Sequence, residues 1–74
     1  MSLHECLLMA VRASYCMDEG ADQGATIDQI MARLKIHKWP ADRSKLSIGL
    51  KAMRSVGLVD KKWRGKWVWN LVAP

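Results

Sequence analysis

The hydrophobic pattern of this chain changes period once, at Gly57, and that change limits the fold more than any other feature. Before Gly57 apolar residues recur every three or four positions, as on helices; after it they alternate, as on strands. Leu58 to Trp63 and Lys66 to Val72 are rich in Val, Leu and Trp, and Arg64-Gly65 between them supplies a turn glycine. A C-terminal β-hairpin is expected, with a turn of two residues or of three with a bulge. Successive side chains of a strand point to opposite sides, so Trp67, Trp69 and Leu71 share one face and Val68, Asn70 and Val72 the other. Trp69 and Leu71 are the expected core-facing pair.

Three helices should precede the hairpin. Ser2 with Glu5 has the capping-box pattern, and Leu3, Leu7, Ala10, Val11 and Ser14, widened by Leu8 and Tyr15, predict an amphipathic helix to about Met17. The run from Asp18 to Gly24 holds two glycines and three acids and predicts a loop. Thr26 with Gln29 repeats the capping pattern, and Ile27, Ile30, Met31 and Leu34 mark one face of a second helix ending near Lys35. Ala25 and Thr26 are expected to add one or two residues of strand. Pro40 disfavours helical geometry at Trp39 and suits the first turn of a third helix, expected from about Ala41 to Val56 with Gly57 as its left-handed cap. On that helix Leu46, Gly49, Leu50 and Met53 gather on one side, extended by Ile48, Ala52 and Val56. Arg43, Ser44, Ser47, Lys51 and Arg54 fill the remaining arc, and each of them donates hydrogen bonds.

Seventy-four residues, half of them apolar, make a single domain, 1–74, with one small core. A chain this short buries only around 60–65% of its unfolded surface, which leaves little room for an enclosed active site. No stretch approaches the roughly 20 apolar residues of a membrane span, and His4 and Glu5 stand where a secretory signal would carry Lys or Arg. Cys6 and Cys16 lie about 15 Å apart along one helix, beyond disulfide reach, so both are expected reduced. The expected location is intracellular: cytoplasm, nucleoid or nucleus. These cysteines show no metal-ligand spacing with His4 or His37, and the chain has no phosphate loop, nucleophile elbow or helical carboxylate pair. No enzyme, metal or cofactor is expected.

Charge divides the chain. Residues 1–34 carry two basic against five acidic side chains, net −3, whereas residues 35–74 carry ten against two, net +8. One strongly basic half suits a polyanion, although a solvated basic surface reads the same way. Lys61, Lys62, Arg64 and Lys66 crowd the hairpin tip, interleaved with Trp63 and Trp67. Lysines on an exposed edge also discourage strand pairing, but that purpose does not ask for four cations in six residues.

The order helix, helix, helix, hairpin in this length resembles the winged helix-turn-helix superfamily. Locally the stretch Arg43-Ser44-Lys45-Leu46-Ser47-Ile48-Gly49-Leu50-Lys51-Ala52-Met53, with Ser55, Gly57 and Trp69-Asn70-Leu71, is similar to the globular domain of linker histones. The resemblance implies an α+β, mostly helical fold: a three-helix bundle with a C-terminal β-hairpin wing. It also implies a third helix in the major groove and a wing on the backbone or in a minor groove, with Lys51 at a DNA-contacting position. The net acidic N-terminal half departs from the second basic patch of linker histones, so a small transcription regulator or phage-type DNA-binding protein fits equally.

Double-stranded DNA is the expected partner. Arg43, Ser44, Ser47, Lys51 and Arg54 would meet the groove, and Lys61, Lys62, Arg64 and Lys66 the backbone. Trp63, Trp67 and Trp39 are open to stacking or to a partner. Two alternatives remain: a protein-interaction winged helix that uses those tryptophans, and a single-stranded nucleic-acid binder. Leu8, Met9 and Tyr15, expected on the outside of the first helix, would support a homodimer.

Overall fold

A computed structural model describes residues 2–17 and 24–72, so of the loop expected over Asp18–Gly24 only Gly24 falls within the described residues. Three helices come first: α1 (Leu3–Met17), α2 (Ile27–Ile36) and α3 (Arg43–Ser55). Two antiparallel strands follow, β1 (Val59–Trp63) and β2 (Trp67–Leu71). This order is compatible with a winged-helix layout.

Local chemistry sets most boundaries. The Thr26 hydroxyl accepts from the Gln29 amide at 3.2 Å, and the Gln29 side chain accepts from the Thr26 amide at 3.0 Å, completing the capping box of α2. α3 begins two positions later than Ala41, because the Asp42 carboxylate accepts from the Lys45 amide at 3.0 Å and so caps the helix; Pro40 stays in the connection. At the other end Gly57 takes φ +83°, a left-handed conformation that lets the Gly57 and Leu58 amides donate to the carbonyls of Arg54 and Met53, both at 3.0 Å.

The hairpin turn has three residues, Arg64, Gly65 and Lys66, with Gly65 at φ +74°. Its ladder pairs Val59 with Leu71, Lys61 with Trp69 and Trp63 with Trp67 on one face. On the free edge of β2, Ala25 donates to the Trp69 carbonyl at 3.0 Å and accepts from the Trp69 amide at 2.8 Å. The expected strand residue before α2 is therefore present and ties the hairpin to that helix.

The buried face of α1 keeps Ala10 of the expected stripe but otherwise departs from it. Cys6, Met9, Ala10, Ala13, Cys16 and Met17 are buried, whereas Leu3, Leu8, Val11 and Tyr15 face outward. The reason lies across the interface at Gly49 of α3, where an added Cβ would overlap the Cys6 carbonyl oxygen and sit 2.8 Å from the Ala10 Cβ. Backbones this close admit only small or slender side chains between them. Met9 is consequently no part of an outer dimer face: it is 6% exposed, and its sulfur accepts from the Asp42 amide at 3.4 Å. Cys6 and Cys16 are both buried on this inner face.

Leu46, Gly49, Leu50 and Met53 of α3 are buried as expected, as are Ile30 and Leu34 of α2. In the hairpin Trp69 joins the core, but Leu71 is 38% exposed, and Val59 and Val68 are buried. Val68 lies on the hairpin face opposite Trp69 and borders the same depression as Gly24 and Gln29. Gly24 lies against the Asn70 side chain on that face, and the hairpin buries a side chain on each side.

Polar contacts join the helices at the rim. The Arg33 guanidinium donates to the Cys16 carbonyl at 2.9 Å, anchoring α2 to the end of α1. Lys45 Nζ donates to Glu5 Oε2 at 2.9 Å. That hydrogen bond, reinforced by the opposite charges, holds the Glu5 carboxyl below the usual glutamate range and raises the Lys45 ammonium above the usual lysine value.

Candidate nucleic-acid interface

A cleft of about 510 Å³ opens where the first turn of α2, one stripe of α3 and the hairpin converge. From α3 come Arg43, Ser47 and Lys51, four residues apart and therefore aligned along one side of the helix. The hairpin contributes Lys61, Lys66, Trp67 and Trp69. Thr26 to Gln29 close the third side, bringing the amide end of α2 with its partial positive charge to the rim.

Among the described residues lining this cleft, Asp28 is the one acid, and it forms an ion pair with Arg43. Both side chains are more than half exposed, so the pair is open to water and to exchange of partners. Lys61 is held differently. Its ammonium stands 4.6 Å from the centroid of Trp67 and 5.5 Å from that of Trp69, over two indoles at once. A cation placed on aromatic faces remains available to an anion entering the cleft.

The remaining expected site residues lie around this centre. Arg54 stands 3.9 Å from the Asp60 carboxylate and, with Lys51 and Ser55, borders a shallow hollow of about 310 Å³. Ser44 is exposed on α3 but does not line the cleft. Arg64 and Lys66 border a smaller depression of about 230 Å³ on the side of Gly24. Lys62 is exposed on the reverse face of the hairpin, across from Val68.

The three flagged tryptophans separate. Trp63 and Trp67 form a cross-strand pair beside the turn, both exposed. Trp39 is half-buried against the core, stacked on His37 at 4.8 Å with the Arg12 guanidinium 5.7 Å from its ring. It takes no part in the cleft lining.

Thr26, Asp28 and Gln29 line the cleft although nothing in their spacing marks them as site residues. The capping pattern locates the start of a helix but carries no information about which neighbour that start will face.

Comparison of the chain with protein-family models, with curated proteins and with solved structures finds no match. Among the described residues no helix is long and apolar enough to cross a membrane, and no group of three or more His, Cys, Asp or Glu is placed to hold a metal ion. The chemistry of the cleft itself therefore carries the functional reading.

Proposed function

We propose that this chain is a winged-helix module that binds double-stranded DNA, with α3 entering the major groove and the hairpin lying along the backbone as its wing. The supporting observation is the cleft, where Arg43 and Lys51 of α3 and Lys61 and Lys66 of the hairpin meet around one opening. Two successive elements, a helix and the hairpin that follows it, present their cations to a shared space, and a ladder of phosphates is a ligand of matching charge and extent.

In this reading Lys51 and Ser47 reach the groove, and Arg43 moves from Asp28 to a phosphate or a guanine edge. One bidentate arginine–guanine pair discriminates by about 1–3 kcal/mol, enough for some sequence preference. Ser44 and Arg54 extend the groove contact along α3, while Lys61, Lys62, Arg64 and Lys66 hold the backbone. A small transcription regulator or an architectural DNA-binding protein is the role that follows.

The test is the salt dependence of binding to a mixed-sequence duplex. If four hairpin cations each neutralise a phosphate, the hairpin alone contributes about −3.6 to the log–log slope. The combined Lys61→Ala, Lys62→Ala and Arg64→Ala variant should flatten the slope by roughly 2.7. Absence of duplex binding at low salt sinks the proposal.

A further inference from the structure

Trp63 and Trp67 face each other across the last strand pair before the turn, and they stand largely in water, 62% and 52% exposed. Their ring centroids are 5.2 Å apart with planes inclined at 68°, so the indoles meet edge to face and form a corner. Trp67 also lines the cleft. Arg64 and Lys66, the exposed turn residues next to the two rings in sequence, and Lys61, whose ammonium stands 4.6 Å from the Trp67 centroid, bring positive charge to this corner.

Phosphates use these cations but gain little from an indole, which offers one N–H donor and a broad apolar surface. Two rings left mostly in water suit a flat apolar partner, and the surrounding cations select an anionic one. A nucleotide has both properties, a π face on its base and charge on its backbone. In an unbroken duplex that face is covered by the neighbouring bases. The matching base must therefore lie outside the stack.

Building on the duplex-binding reading above, we infer that the Trp63–Trp67 corner stacks the first unpaired base where a single strand leaves a duplex. The α3 stripe holds the paired region, and Arg64 and Lys66 hold the phosphates of the departing strand. The preferred substrate is then a single-strand–duplex junction over an uninterrupted duplex.

The experiment compares one duplex in two forms: with both ends closed by polyethylene-glycol linkers, so that no base is unpaired, and with one end opened to a short thymine overhang. The junction should bind about 10-fold tighter, within the range of one base–aromatic stack. Trp63→Ala, checked for folding by circular dichroism, should bring both DNAs to the affinity of the closed duplex, whereas Trp63→Phe should keep most of the preference. Equal binding of the two forms, or a preference that survives Trp63→Ala, overturns the inference. So does equal weakening of both forms in Trp63→Ala, which would mark a wedge into intact duplex. If the closed duplex binds with a steep salt slope but no preference appears, only this inference falls; if neither DNA binds, the duplex-binding proposal falls with it.

Discussion

Gly49 of α3 sits against the carbonyl oxygen of Cys6 in α1, so close that no Cβ fits between them. Replacing Gly49 with Ala gains about 1 kcal/mol of intrinsic helix propensity. The added methyl meets backbone, which cannot swing aside as a side-chain tip can, so α1 must move. Overpacking of this kind costs about 1–3 kcal/mol, and the rigid neighbour places this site at the upper end. Gly49→Ala is therefore expected to lower stability by about 2 kcal/mol in urea unfolding. An unchanged or raised midpoint would mean that α1 does not lie this close.

The capping box at Thr26 gives a smaller effect with a known origin. Thr26→Ala removes the acceptor for the Gln29 amide and should cost about 1 kcal/mol of stability. Thr26→Asp restores an acceptor and should recover most of the loss in the same measurement.

Asp28 works against the proposed ligand twice, by repelling phosphate and by occupying Arg43. Asp28→Asn should tighten duplex binding, because Arg43 no longer leaves a carboxylate to meet the DNA, and the gain should be largest at low salt. Fluorescence anisotropy across a salt series measures both. Weaker binding would instead show that Asp28 orients Arg43 for its contact.

The Glu5–Lys45 pair makes a pH prediction with a definite sign. Because Lys45 lowers the Glu5 pKa in the folded chain, the contribution of Glu5 is present above the ordinary glutamate value of 4.5 and is lost as pH falls through the lower folded value. The raised pKa of Lys45 makes its contribution full below 10.5 and lost as pH rises through the folded value. Glu5→Gln should therefore flatten the acid limb of a stability–pH curve below about pH 4.5, and Lys45→Met the alkaline limb as well. Both groups are in contact with water, so high salt should shrink each difference.

Where sequence and structure agree, a local rule decides. The α3 core residues Leu46, Leu50 and Met53 follow from helical period, the Thr26–Gln29 cap from hydrogen-bond chemistry and the hairpin from alternation around Gly65. Where they differ, a neighbour decides. Over α1 the expected stripe holds at Ala10 but not at the larger Leu3, Val11 and Tyr15; the close approach of Gly49 selects Cys6 and Ala13 beside Ala10. Val68 is buried on the second face of the hairpin, beside Gly24, while Leu71 at the end of β2 stays part-exposed. The cations of the cleft are legible as basic residues, but the junction of Asp28 with Arg43 is not, since no spacing relates the first turn of one helix to the first turn of the next.

The two hydrogen bonds between Ala25 and Trp69 join positions 44 residues apart in the chain. Such a contact closes a long loop, so its entropic cost is met only once the intervening helices have assembled. A two-stranded hairpin by itself is marginal in water. The cleft is accordingly a product of cooperative folding: a peptide spanning α3 and the hairpin alone would carry most of the positive charge yet lack the geometry that concentrates it.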